Sequence, residues 1–517
     1  MPRLLVLMIL VCFGSGVSAQ DQIELSLRDT LNKAIERNLD LQLERITLET
    51  RQLGLQSTRA VYEPTVTGLL SQATRNNEAT QSTEGESGST FTNEFLNFNT
   101  SFQKREDFGL QWNIDFNNGL QDIGSALSLG ETYSSDITLG FQQSLLRGFS
   151  WDRVIPRYDE YIARGDLNLA REDMEIRMVA VLQQAENAYW DLVLAVEDYK
   201  VAEQSLELAK QLFEENKVKI EVGTLPSIEL VNNQATIAQR EADLVTAENA
   251  VFTAEDQLKK VLNLPPEEWT RKIVPSDPIV IPELQTDFEA DLAVALRNRP
   301  EMQKNAHDLD KAQLTRRLRV NELRPDLVLA GGYETRGVSS PVTIVETIRD
   351  TDGDGRPNPE DADRIPSSYD QALSKVIGNE LPGWSVSLNL TWNPLNRAAK
   401  INLAQADAEI KRVELNAEVV KLDIMEQVRS AARELNSNLK SIRANEQNLK
   451  FQRENLKAEV QKFQNGLSTN YLVSEAQNNV ATAESQLNSA RINYLKAIVE
   501  YHRSLGKLLE ERRISID

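Results

Sequence analysis

Twelve consecutive residues, Asp350-Thr351-Asp352-Gly353-Asp354-Gly355-Arg356-Pro357-Asn358-Pro359-Glu360-Asp361, put side-chain oxygens at loop positions 1, 3, 5, 9 and 12 and glycine at position 6. That spacing suits an EF-hand-type calcium loop, where hard oxygen ligands converge around a sharp glycine turn. Asp350, Asp352, Asp354, Asn358 and Asp361 are therefore candidate ligands for a structural calcium ion. Asp361 stands where the bidentate glutamate belongs and no flanking helices are evident, so an acidic loop that holds no metal is the competing reading. Other reactive groups are sparse. The two histidines, His307 and His502, lie on separate helical stretches, which argues against a serine–histidine triad or a zinc site. No constellation points to a reaction, so the chain reads as a non-enzyme with no cofactor beyond that calcium. A secreted enzyme using paired carboxylates remains the reading that an acidic composition does not exclude.

The 57 Lys+Arg against 78 Asp+Glu give a formal charge of −21. Phosphate neutralisation needs a basic surface, so nucleic acid is not an expected partner. Mean hydropathy is −0.42, and the longest apolar run is Leu4 to Phe13. A polytopic helical membrane protein is thereby excluded, since each span needs about 20 consecutive apolar residues. Arg3, that run and the small residues up to Ala19 read as a signal peptide over 1–19, with cleavage before Gln20. The only cysteine, Cys12, falls inside it, so the exported chain has no thiol for a disulfide or a nucleophile.

Any site must be carried by very long helices. Asp166 to Val222 and Leu395 to Asn465 contain neither Gly nor Pro, and at 1.5 Å per residue they predict helices of roughly 85 and 105 Å. Each stretch stops at a glycine, Gly223 or Gly466, and a second helical stretch follows at once. Glycine supplies the left-handed stop, with Ser227 and Asn470 expected as N-caps of the return helices. Apolar residues recur at three and four, as in Leu182, Ala185, Ala188, Leu192 and Val196. These are two antiparallel helical hairpins with alanine-rich seams.

The hairpins repeat. Laying Gly466 on Gly223 puts Gln477 on Gln234, Ala481 on Ala238, Glu484 on Glu241, Leu487 on Leu244 and Ala490 on Ala247 without a gap. Upstream, Leu292 matches Leu31, Ala295 matches Ala34, Gln303 matches Gln42 and Pro325 matches Pro64. Each copy reads as helix, strands, very long helix, turn, helix, opened by Ser26 with Asp29 or Thr286 with Glu289 as capping signals. The expected organisation is a first repeat over 20–264 (strands about 65–146, hairpin about 150–264), a proline-rich linker over 265–286 lying across the helices, a second repeat over 287–509 (strands about 326–393, hairpin about 395–509) and a short tail over 510–517.

Strand periodicity sits between the helices. Trp384, Val386, Leu388, Leu390 and Trp392 alternate with Ser385, Ser387, Asn389, Thr391 and Asn393, the period of a strand with one apolar face. Trp384 and Trp392 are separated by about 26 Å along such a strand, close to the height of an outer-membrane apolar band between aromatic girdles. Leu327, Leu329, Gly331 and Tyr333 form a second strand, Val66 to Gln72 and Ile137 to Phe141 two more, and Phe108 to Asn117 alternates equally well. An Asn-, Ser- and Thr-rich stretch from Asn76 to Asn99 reads as a loop.

The opening segment Leu27 to Leu41, Gln143-Ser144-Leu145-Leu146-Arg147-Gly148-Phe149, Ala188-Tyr189-Trp190-Asp191-Leu192 and Gly223-Thr224-Leu225-Pro226 with Leu230 and Gln234 together resemble the TolC-like outer membrane efflux protein family, over nearly the whole exported chain. The resemblance implies an α+β membrane protein. Long antiparallel helical hairpins would form a periplasmic α-barrel, and four strands per protomer a 12-stranded transmembrane β-barrel completed by trimerisation. A chain with so few strands cannot close a barrel alone, and bare strand edges are not tolerated in lipid, so oligomerisation follows on physical grounds too.

It further implies the exit duct of a tripartite efflux or type I secretion system in a Gram-negative-type outer membrane. The partners would be a periplasmic adaptor, an inner-membrane RND or ABC-type pump and outer-membrane lipid. Carried over from Gly223 and Gly466, the family's acidic aperture positions fall on Glu229, Leu472 and Glu475. Leu472 departs from the acidic pattern, and Ser468 stands where a latching arginine would be. A periplasmic coiled-coil scaffold or adhesin without a conducting barrel is the alternative.

Overall fold

The computed structural model describes residues 22–79, 88–124, 130–222, 226–344 and 363–514. In chain order, strand β1 (Gln22–Leu25) precedes helices α1 (Leu27–Arg37) and α2 (Leu39–Ala60). Strands β2 (Thr65–Glu78), β3 (Thr90–Arg105), β4 (Leu110–Ile123) and β5 (Thr132–Ser144) lead to α3 (Tyr158–Glu221) and α4 (Ile228–Val261). A 3-10 turn (Pro266–Glu268) and β6 (Lys272–Pro275) link to α5 (Phe288–Asn298) and α6 (Pro300–Glu322). Then come β7 (Asp326–Ser339), β8 (Val342–Ile344), β9 (Asp363–Ile365), α7 (Tyr369–Ile377) and β10 (Pro382–Thr391). Helices α8 (Arg397–Gln464), α9 (Asn470–Ser504) and α10 (Leu508–Glu511) complete the chain.

These elements gather into two units. One takes the described residues up to Glu49, Asn168–Ala306 and those from Leu415 onward; the other takes Thr50–Leu167 and His307–Glu414. The first is helical. Leu31, Leu182, Leu192, Leu258 and Ile273 bury one core, and Ile424, Leu435, Ala490, Tyr494 and Ile498 bury another. Both draw on the three-and-four spacing, because only that stripe of a long helix meets its neighbours.

The expected opening helices are each split in two. Pro300 lacks the N–H that would continue α5 and forces Arg299 to an extended ψ of 128°. Asn38 breaks the first copy at the same ψ of 128°. Its side-chain oxygen accepts from the N–H groups of Asp40 and Leu41, while its amide donates to the Val261 carbonyl at 3.0 Å. Ser26 and Asp29 form the expected capping box. In the second copy the cap is Asp287, not Thr286, its carboxylate accepting from the N–H groups of Glu289 and Ala290. The linker is more ordered than its prolines suggest, since β6 pairs in parallel with β1. The tail folds back: α10 is followed by Arg512, which forms an ion pair with the buried Glu186.

The second unit carries a six-stranded antiparallel sheet in the order β10-β7-β5-β4-β3-β2. The resemblance implied four strands; β3 and β4 are the additional pair. The stretch expected as a loop from Asn76 to Asn99 is largely strand, because β2 continues to Glu78 and β3 begins at Thr90. Asn is a poor strand former alone, but here both neighbours satisfy the β3 backbone. The strand expected from Phe108 starts at Leu110, after Gly109 turns at a φ of +97°.

Register puts most of the apolar residues on one face, while Leu69, Phe95 and Val328 fall on the other. Leu388 lies opposite Leu329, Trp384 opposite Tyr333, Leu139 opposite both Tyr333 and Ile114, and Ile114 opposite Phe102. The other face carries Ser387, Asn389, Gln142, Asn113, Asp115, Asn117, Asn99 and Ser101.

Candidate functional site

The ends of the helical hairpins hold a group of buried polar side chains, Asn216, Asn233 and Asn470. Gly466 ends α8 at a φ of +78°, a conformation strained for L side chains, and the Leu467 N–H returns to the Lys462 carbonyl at 2.8 Å. Thr469, rather than Asn470, caps α9, its hydroxyl accepting from the Leu472 N–H at 3.4 Å. That frees Asn470 to turn inward, where it is 3% exposed. Asn216 of α3, which is 0% exposed, donates its amide to the Asn470 carbonyl oxygen at 2.6 Å. The Asn470 amide donates in turn to Asn233 and, at 3.3 Å, to Glu229, both on α4. Three buried amides thus join the two hairpins.

Beside them Leu212, Phe463 and Val473 form a small core, and the Lys219 ammonium sits 4.0 Å from the centroid of the Phe463 ring. Ser227 occupies the N-cap position of α4 in a helical conformation and makes no capping bond. Ser468 donates its hydroxyl to Glu459, and Lys462 reaches the same carboxylate at 3.0 Å. Those two contacts, the serine's first, hold the Glu459 carboxyl below the usual carboxylate range. Glu475 is exposed and makes no ion pair among the described residues. Leu472 is exposed as well, together with Leu467 and Tyr471.

Asn216 had a legible signal in the sequence: it continues the buried series Leu206, Ala209, Leu212 at helical spacing, and an amide in a seam needs partners. Its partners Asn233 and Asn470 belong to other helices, and nothing local names them.

At the sheet, Trp384 is 80% and Trp392 65% exposed. Trp384 lies within β10 and Trp392 one residue beyond it. Val386, Leu388 and Leu390 between them are also exposed. Short helix α7, absent from the sequence reading, packs on the apolar side of β5 and β7: Lys375 donates to the Val338 carbonyl at 2.7 Å and Tyr369 to the Asn118 side chain at 2.9 Å. Gly223 and the acidic loop residues Asp350, Asp352, Asp354, Asn358 and Asp361 lie outside the described residues. Among the described residues no cluster of His, Cys, Asp or Glu could hold a metal, and no helix is long and apolar enough to cross a membrane.

Residues 292–507 match the sequence model of a family described as outer membrane efflux protein. That segment belongs to the outer membrane efflux protein family. A search of curated proteins returns no match. Solved structures extend the likeness to 93% of the chain. The CmeC outer membrane channel of Campylobacter jejuni is similar at a TM-score of 0.64 and 14% identity, with 86% of its own length covered. The outer membrane protein VceC of Vibrio cholerae is similar at 0.62 and 12%, with 96% covered. The MtrE outer membrane channel of Neisseria gonorrhoeae, in its open state, is similar at 0.61 and 14%, with 89% covered. At such identities the likeness is one of fold, and the fold is TolC-like.

Within the efflux-family segment lie most of α5 and all of α6, β7, β10, α8 and α9, hence Trp384, Trp392, Gly466, Leu472 and Glu475. Glu229, Asn216 and Asn233, the partners of Asn470, lie before it, so the buried amide cluster links the matched segment to the preceding half.

Proposed function

We propose that this chain is the protomer of a trimeric outer-membrane channel, the exit duct of a tripartite efflux or type I secretion system. The observation that carries the reading is the antiparallel sheet, apolar along one face and mainly polar along the other, with both outer strands exposed. Such a sheet suits a barrel wall between lipid and water, and lipid leaves no bare edge unpaired. Exposed apolar stripes at helical spacing support oligomerisation: Leu39, Leu43, Ile46 and Leu53 on α2, and Leu415, Val419 and Leu422 on α8. Copies of the chain would cover them.

Further parts of the reading rest on the family. The periplasmic adaptor would dock at the hairpin ends, where Leu467, Tyr471 and Leu472 are exposed, and an inner-membrane pump would supply the energy. Docking would draw α9 from α3 and α4, breaking the Asn470 contacts and opening the aperture lined by Glu475 and Glu229. The order helix pair, strands, long helix, return helix occurs twice, with Asn38 and Arg299 at matching breaks, which supports an internal twofold repeat. The Asp350 to Asp361 loop would hold a structural calcium on the outer side; calcium titration of full-length protein, lost in Asp352→Ala, tests it.

Single-channel recording from the purified trimer in planar bilayers tests the function. Discrete cation-selective openings whose selectivity weakens in Glu475→Ala and Glu229→Ala are expected. A folded trimer with no conductance would favour the scaffold reading.

A further inference from the structure

We infer that each copy contributes six strands to the wall, and that β2 of one copy pairs with β10 of the next to close an 18-stranded barrel around a wide aqueous mouth. This rests on the trimeric channel reading and departs from the 12-stranded barrel which the family resemblance implies. The additional strands are integral to the sheet: β3 pairs with β2 over fourteen residue positions, and β4 is flanked on both sides by β3 and β5. They also follow its two-faced chemistry. Phe102 and Trp112, neighbours on the apolar face, pack with ring centroids 5.3 Å apart. On the polar face Ser101 and Asn113 both donate to Asp115, and Asn117 donates to Asp136 at 3.0 Å. A hairpin standing in water above the membrane would have no need of an apolar side continuous with that of β5 and β7.

The edges identify their occupant. Strand β2 is exposed along almost its whole length and β10 along all of it. Successive strands alternate in direction, so in six strands the outer two run oppositely. Copies inserted with one membrane orientation can therefore join β2 to β10 antiparallel. Joining β2 to β2 antiparallel would turn one copy upside down in the membrane. The join is thus heterologous and closes as a ring. Faces also agree across it, with Val66 and Leu70 continuing the apolar surface of Leu388 and Leu390.

Six strands from each of three copies make eighteen. With strands about 4.8 Å apart and tilted about 40°, the backbone diameter is roughly 36 Å, against roughly 24 Å for twelve. A wall of that width faced with Asn, Ser and Asp admits large hydrated solutes at its outer end.

Cryo-electron microscopy of the full-length protein in lipid nanodiscs, joined to disulfide scanning of cysteine pairs around Leu70 and Leu388, tests this. An 18-stranded wall near 36 Å, with covalent trimers formed by cysteines at Leu70 and Leu388 or their two-residue neighbours, is expected. A 12-stranded ring, β3 and β4 outside the wall, or disulfides confined to single chains would overturn the inference and leave the channel reading standing. The absence of any membrane-embedded ring would overturn both.

Discussion

The side-chain amide of Asn216 donates to the carbonyl oxygen of Asn470 at 2.6 Å, fastening α3 to α9 through two side chains withdrawn from water. Buried amides gain little when paired and cost much when left unpaired. The contact therefore acts less as glue than as a condition on the closed arrangement: if α9 moves away, several polar groups lose partners together.

Asn470→Ala should loosen the hairpin ends. Removing one member leaves Asn216 and Asn233 short of partners, a cost of about 1–3 kcal/mol. Amide hydrogen exchange over Gly466–Glu475 should accelerate, and the open probability in planar bilayers should rise. Unchanged exchange would deny the cluster any role in holding the ends closed.

The Ser468 contact gives the same region an acid dependence. Because Glu459 titrates below its ordinary 4.5 when folded, its contribution is present above that pH and is lost as pH falls through the depressed value. Ser468→Ala removes the first cause, so the Glu459 carboxyl should titrate nearer 4.5. Carboxyl carbon resonances followed through an acid titration in both proteins measure the difference.

A methyl group at position 337 would have nowhere to go. A Cβ built on Gly337 falls 1.8 Å from the Ala372 carbonyl oxygen in α7, so Gly337→Ala must push the helix off the sheet, at about 1–3 kcal/mol. Limited proteolysis should cut Tyr369–Ile377 faster while leaving α8 intact.

His502 should make the helical unit sensitive to mild acid. Burial comes first among the causes that lower its pKa from 6.5, outweighing nearby Glu511, with Arg512 and Lys507 reinforcing it. Folding therefore favours the neutral ring, and stability is full above pH 6.5 and declines as pH falls from there toward the depressed value. Thermal unfolding followed across that range should show a decline in the wild type and a flatter profile in His502→Gln.

Much of the architecture was written in local pattern. Two Gly- and Pro-free stretches with apolar residues at three and four dictate long helices, and alternation from Trp384 to Trp392 dictates a strand with one apolar face. Gly466 marked a turn because a left-handed stop needs glycine. The same reasoning misplaced the cap at Asn470, since Thr469 and Asn470 are both good caps and only the fold reserves the second for Asn216 and Asn233. It also took much of β3 for a loop, because the asparagines that fill it disfavour a strand until β2 and β4 lie on either side.

The sequence by itself thus determined the long helices and most of the alternating strands, and which face of each is apolar, for these follow from the periodicity of neighbours along the chain. Tertiary structure alone decided how many strands share the sheet, where α7 packs and which amides meet at the hairpin ends. Those depend on hydrogen-bond partners up to 254 positions apart, as Asn216 and Asn470 are, and no local spacing encodes a partner at that distance.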